Sequence, residues 1–184
     1  HYVDMLQWTM GGVRAVQAQM RTAAHAIEVE DHVQALLEFH NGATGVLVGS
    51  TCAYPGMGER LEIHGHYGTA IVEADKVRFW KVDPESPDDP NPYGKGVTYH
   101  PTTKVSLSDP AEGDQEDDPT AHWGEQHRLQ IEDFTNAVLE DREPFVTGEM
   151  ALEPLKVILS IYRSAREGGR RVEVDECATA CASV

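Results

Sequence analysis

Basic side chains are scarce in this chain. Fifteen lysines and arginines, only five of them lysine, stand against 31 aspartates and glutamates, for a formal charge of −16. Such a surface repels phosphate backbones and anionic headgroups, which argues against nucleic acid and membranes as partners. Cysteine is nearly absent as well. Cys52, Cys177 and Cys181 form an odd set without framework spacing, which predicts free thiols in a reducing compartment, and Cys177 with Cys181 makes an incomplete metal site. No run approaches the roughly 18 apolar residues of a membrane span, and no secretory signal is visible. The expected location is cytoplasmic.

Two motif types are also missing. Gly56-Met57-Gly58 and Gly94-Lys95-Gly96 lack the context of a nucleotide-binding loop, so no cofactor is expected to bind this chain alone. Gly49-Ser50-Thr51 is no nucleophile elbow, because it lies on a predicted strand.

What is present reads as one domain over residues 1–184. Val3, Leu6 and Met10 predict a short helix stopped by Gly11-Gly12, followed by a strand over 13–22. Over His32–Cys52, two alternating runs flank Asn41-Gly42, which predicts a hairpin closed by a two-residue type I′ turn. Counting outward from that turn sets Phe39 against Thr44, Leu37 against Val46 and Ala35 against Val48 as the core face. Leu36 and Leu47 then fall on the other face, which is either solvated or covered by another protein surface.

Further strands are predicted at 60–64, 69–73 and 77–82, so the body is a mostly antiparallel sheet. From about 83 to 119 the composition turns acidic and proline-rich and cannot build a core; it is either a solvated excursion or a cover over a site. Helical spacing returns at Trp123, His127, Ile131, Phe134 and Val138. A second helix, capped by Thr147, carries Ala151, Leu155, Ile158, Tyr162 and Ala165 and ends at Gly168-Gly169, with Pro154 marking a kink or its first turn. A last strand covers 170–174.

Among residues able to carry chemistry, His1 and Asp4 stand one helical turn apart, where a carboxylate can orient an imidazole or share a substrate with it; a cap beside a surface histidine has the same spacing. His127 is either a hydrogen-bonded core residue or a group at a cleft mouth. His64-Gly65-His66 places two imidazoles on one strand face, but no third ligand stands at a characteristic spacing, and no metal site is assigned.

Several stretches, taken in order, resemble the C-terminal half of the Gfo/Idh/MocA oxidoreductases, the family of glucose-fructose oxidoreductase and inositol 2-dehydrogenase. They are His1-x-x-Asp4-x-x-x-Trp8 running into Met10-Gly11; Ile27–Asp31 ahead of Asn41-Gly42-Ala43; Arg60–Gly65 with Gly68-Thr69; Ile131–Phe134; Pro144–Glu149; and Ile161–Ala165 before Gly168. Together they span nearly the whole chain except the acidic segment and the last ten or so residues.

The resemblance implies an α+β fold, an open and mostly antiparallel sheet with helices on one face, like the C-terminal domain of glyceraldehyde-3-phosphate dehydrogenase. It implies a Rossmann domain that binds NAD or NADP, absent from this chain, and a C-terminal domain that shapes the substrate pocket and pairs with a second copy. His1 matches the family's catalytic histidine, and Asp4 matches an acidic residue that meets substrate hydroxyls. The family's other catalytic groups, an aspartate four residues before the histidine and a lysine in the Rossmann domain, would lie upstream of residue 1. The implied reaction is hydride transfer between a sugar or polyol and nicotinamide. The substrate-binding candidates are therefore Asp4 and His127, and Leu36 and Leu47 are the dimer-surface candidates. The alternative reading is a non-catalytic dimerisation or ligand-binding module.

Overall fold

A computed structural model describes residues 1–56, 58–73, 76–82 and 123–174 of the chain; the acidic segment and Cys177 and Cys181 lie outside them. The chain divides into two compact units, His1–Gly56 with Leu129–Val184 and Met57–Arg128.

In the first unit, helix α1 (Tyr2–Met10) leads into strand β1 (Val13–Arg21), then the hairpin of β2 (His32–Phe39) and β3 (Thr44–Ser50). The sheet order is β3-β2-β1-β7, with the short β7 (Val172–Glu173) on β1 and every pairing antiparallel. One face carries the core, in which Val16, Ala35, Leu37 and Phe39 meet Val157 and Ile161 of α3 (Gly148–Arg166) and Val172 of β7. Val3, Leu6 and Met10 of α1 pack against the same cluster, so α1 and α3 share one face of the sheet.

The hairpin register differs by one residue from the two-residue turn. Phe39 N–H donates to Ala43 O (2.9 Å) and Gly42 N–H to Phe39 O (3.0 Å), so His40, Asn41 and Gly42 together close the loop. In this turn only Gly42 takes a positive φ, at 86°, whereas a type I′ turn needs two such residues. Asn41 is held by tertiary contact instead: its Nδ2 donates to Met10 O at the end of α1 (2.9 Å), and its Oδ1 accepts from Ala43 N–H (3.0 Å). The pairing is therefore Leu37 with Gly45, Leu36 with Val46 and Gln34 with Val48.

A one-residue slip exchanges the faces of β3. Gly45, Leu47 and Gly49 turn to the core side, and Val46 and Val48 join Leu36 outside. The glycines make room there, since a Cβ on Gly45 would come within 3.2 Å of Phe39 Cε2 and one on Gly49 within 3.1 Å of Val33 Cγ1.

Helix α3 begins as expected, with Thr147 Oγ1 accepting from Met150 N–H (3.3 Å), and it runs through Pro154 in its second turn, so that residue is neither its start nor its end. Its buried stripe is Val157, Ser160, Ile161 and Ser164. The expected stripe is thus rotated by one residue, and Leu155 lies exposed.

Two buried serines explain the rotation. Ser160 Oγ donates to Lys156 O one turn back (2.8 Å). Ser164 Oγ accepts from Ala18 N–H (2.9 Å) and donates to Arg170 O (2.6 Å), serving β1 where the two-residue β7 gives it no partner. Replacing Ser164 with alanine strands both groups and is expected to cost about 1–3 kcal/mol, read from denaturant midpoints at unchanged m-value.

Helix α2 (Trp123–Glu140) crosses the division between the units. Within the first unit its Ile131, Phe134 and Val138, expected as an inward stripe, are exposed, and Ala137 is the side chain buried. Asp133 ties the helix to its following turn by accepting from Phe145 N–H (2.7 Å) and Arg142 Nη2 (3.0 Å).

The second unit contains a meander of β4 (Arg60–Gly65), β5 (Gly68–Glu73) and β6 (Lys76–Val82), paired antiparallel in that order. Among the described residues the seven strands lie in a four-stranded and a three-stranded sheet, and every pairing is antiparallel. No described helix is long and apolar enough to cross a membrane.

Candidate functional site

Helix α1 is anchored at its C-terminal end. Gly11, in the left-handed region at φ 85°, donates its N–H to Gln7 O (2.9 Å), and Asn41 and His40 of the hairpin turn bond Met10 O and Gly12 O. A glycine suits this position because a side chain would strain it. The opposite end carries His1 as the N-terminal cap, its carbonyl accepting from Met5 N–H (2.9 Å) and its side chain making no cap bond. Asp4 lies in the first turn, where the helix dipole favours negative charge.

His1 and Asp4 are both exposed on one side of α1, opposite the core-facing Val3, Leu6 and Met10. Trp8 joins them one turn further on and is 83% exposed. In the sequence Trp8 belongs to the His1-x-x-Asp4-x-x-x-Trp8 motif, and its i, i+3, i+7 spacing with His1 and Asp4 is the signal that puts it on their side of the helix. His127 is exposed on the part of α2 that belongs to the second unit, so it is not a buried core residue.

The outer face of the four-stranded sheet presents Leu36 (56% exposed), Val46 (68%) and Val48 (63%). Leu47, expected beside Leu36, packs instead against the core cluster, because the three-residue turn reverses the alternation of β3. A concavity of about 420 Å³ lies over this face, with Gln17, Gln19 and Gln34 among the apolar side chains. At the end of β2, Glu38 is held by ion pairs: Arg171 grips it through Nε (2.8 Å) and Nη2 (2.7 Å), and Arg14 Nη2 reaches the same carboxylate (2.7 Å). Arg171 first, then Arg14, hold the Glu38 carboxyl down at about 2.

Among the described residues of the first unit, Asp31 is the buried carboxylate. It accepts from the N–H groups of Ala23 (2.6 Å), Ala24 (2.8 Å) and His25 (2.9 Å) and meets His25 Nδ1 at 3.1 Å, which folds the β1–β2 loop around it. These main-chain donors, Ala24 foremost, hold its pKa well below the usual carboxylate range. Perturbed carboxyls mark active sites, but main-chain donors account for this one, and its role is structural.

Because the folded-state value is depressed, the stabilisation is complete above the ordinary aspartate value of 3.8 and is lost as the pH falls through the lower folded-state value. The expected result is that Asp31→Asn flattens the dependence of Tm on pH below about 4, measured by thermal melts across the acid range. An unchanged acid slope would remove Asp31 from this role.

His64 is engaged by Glu62 Oε2 (3.2 Å) and Thr69 Oγ1 (3.3 Å), and among the described residues no group of three or more potential metal ligands converges. Nor do the described residues make a dinucleotide cradle. Gly11 and Gly12 follow a helix C-terminus, whereas a pyrophosphate needs the N–H groups of a helix N-terminus.

Residues 1–71 match the family model for the GFO/IDH/MocA C-terminal domain. No curated protein matches the sequence. Among solved structures, the chain is similar to the WlbA dehydrogenase of Bordetella pertussis in complex with NADH and UDP-GlcNAcA, at 29% identity and a TM-score of 0.70, covering 94% of this chain and 45% of that one. The WlbA dehydrogenase of Chromobacterium violaceum, also in complex with NADH and UDP-GlcNAcA, follows at 25% identity and 0.67, covering 94% and 43%. Levoglucosan dehydrogenase in complex with NADH shares the fold at 23% identity and 0.63, covering 95% and 48%. The chain thus spans about half the length of the solved relatives it matches. The fold is α+β of the kind found in the C-terminal domains of these dehydrogenases, and over residues 1–71 the sequence is similar to the C-terminal domain of the Gfo/Idh/MocA oxidoreductases.

Proposed function

We propose that residues 1–184 act as the substrate-binding and dimerisation half of a cytoplasmic NAD(P)-dependent oxidoreductase whose substrate is a sugar, polyol or related hydroxy compound. The observation that carries this reading is the match over 94% of the chain, at 29% identity, to a dehydrogenase whose structure holds NADH and a nucleotide sugar. In the oxidative direction the substrate carbon gives a hydride to nicotinamide held by a separate Rossmann domain, and the hydroxyl gives its proton to a base. His1 suits that task, because an imidazole exchanges protons near neutrality and this one is exposed at the open end of α1. Asp4, one turn on, accepts from substrate hydroxyls, and His127 is assigned to substrate binding in the same reaction.

Two copies pair through the outer sheet face of Leu36, Val46 and Val48, whose exposed apolar side chains are the support for that assignment. The 184-residue chain alone is expected neither to bind NAD nor to turn over substrate. The test is to measure NAD(P)-dependent oxidation of a panel of sugars and polyols by the protein that carries this domain and by the isolated chain. Nicotinamide-dependent turnover by the chain alone would overturn the assignment of cofactor binding to another domain. Absence of turnover by the whole protein across the panel would leave the non-catalytic module as the reading.

A further inference from the structure

We propose that Trp8 is the platform against which a ring-form sugar stacks, and so a specificity residue that favours cyclic over open-chain substrates. The inference rests on the reading above in which His1 and Asp4 face substrate.

Helix α1 has two unlike faces. Val3, Leu6 and Met10 are committed to the core, while His1, Asp4 and Trp8 recur at i, i+3 and i+7 on the opposite side. No residue of α1 is buried, yet the helix carries its largest apolar side chain outward at 83% exposure. Tryptophan is normally well covered, and leaving an indole in water forgoes apolar burial, so its position on this face calls for a partner.

Side chains on a helix lean toward its N-terminus, so an outward-facing residue 8 covers the turn that Asp4 occupies. At 1.5 Å rise per residue, imidazole, carboxylate and indole follow one another along a ridge of about 10 Å.

The three groups suit one kind of ligand. A sugar ring has a face of C–H bonds, apolar and slightly positive, which complements the negative face of an aromatic ring. Its edge carries hydroxyls, donors for the Asp4 carboxylate and the group from which His1 takes a proton. An open-chain polyol has the hydroxyls but no flat C–H face, so it satisfies Asp4 and His1 without using Trp8.

The experiment compares the native protein that carries this domain with its Trp8→Ala, Trp8→Phe and His1→Ala variants, using glucose as the pyranose probe and sorbitol as the open-chain probe. Measurements are KM for each probe, KM for the nicotinamide cofactor, and equilibrium binding of both probes by calorimetry. In Trp8→Ala the pyranose is expected to bind roughly 10-fold more weakly, with KM rising more than kcat falls and with Trp8→Phe restoring most of the loss. Sorbitol and the cofactor should be unaffected.

A pyranose affinity unchanged in Trp8→Ala overturns the platform, as does no pyranose binding by the native protein, or a parallel loss of cofactor affinity, which would mean that Trp8 packs against the nucleotide-binding side. In the first and last of these, turnover that still depends on His1 keeps the oxidoreductase reading intact. Trp8-dependent pyranose binding without any nicotinamide-dependent turnover supports the platform and sinks the oxidoreductase reading.

Discussion

Replacing His1 with alanine is expected to lower kcat/KM of the proposed oxidoreductase by roughly 10²- to 10⁴-fold, the range supplied by a positioned general acid or base. The melting temperature should hardly move. His1 is exposed, its side chain caps nothing, and its one hydrogen bond to α1 is accepted by its main-chain carbonyl from Met5 N–H, which alanine keeps. That separation of rate from stability makes the variant informative. Steady-state kinetics set beside a thermal melt decide it: a large loss of rate at constant Tm assigns proton transfer to the imidazole. An unchanged rate would reduce His1 to a helix-terminal residue and favour the non-catalytic reading.

Two neighbouring substitutions on β3 should behave in opposite ways. Val46→Asp puts a charge on the outer sheet face, where water already reaches the side chain; the fold should persist while two copies no longer pair. Leu47→Asp puts the same charge one residue on, against the core cluster of Val16, Leu37 and Phe39. A carboxylate there would be pressed against apolar side chains and partly stripped of water, and the melting temperature should fall by roughly 5 °C or more. Sedimentation of both variants together with thermal melts tests the register directly. A dispersed but stable Leu47→Asp beside an unfolded Val46→Asp would restore the two-residue turn and its opposite faces.

The hairpin also shows how far sequence reading reaches. Alternation along β2 and the Asn41-Gly42 pair were enough to place both strands and the turn between them. They did not settle whether two or three residues close the loop, because that depends on where Asn41 spends its side chain. It bonds Met10 O at the end of α1, a group 31 residues away in the chain, and so Asn41 stays out of the left-handed region. The one-residue difference in register moves every residue of β3 to the opposite face, since strand faces alternate with each position. The dimer candidates changed with it: Leu36 stays outside, and Val46 and Val48 replace Leu47.

Helix α3 repeats the lesson through polarity. Its cap at Thr147 and its end before Gly168-Gly169 are local chemistry and could be read directly. Its rotation could not, because the stripe includes Ser160 and Ser164, residues that a hydrophobic pattern passes over. Ser164 is buried because β7 is too short to serve Ala18, a fact about the sheet and not about the helix. Asp31 is a similar case, since a lone aspartate gives no sign that the N–H groups of residues 23–25 will fold back onto it.

Taken by itself, the sequence determined the elements that depend on neighbouring residues: helix α1 and its glycine stop, the strands and where the chain reverses between them, the caps of α3, and the spacing that sets His1 and Asp4 on one helix turn. These follow from periodicity, capping and turn chemistry within a few residues. The tertiary structure alone decided which face of β3 and which side of α3 were buried, and which apolar side chains stayed outside. Those choices depend on hydrogen bonds and van der Waals contacts between segments distant in the chain, where one donor or one missing Cβ selects between patterns that are equally regular along the sequence.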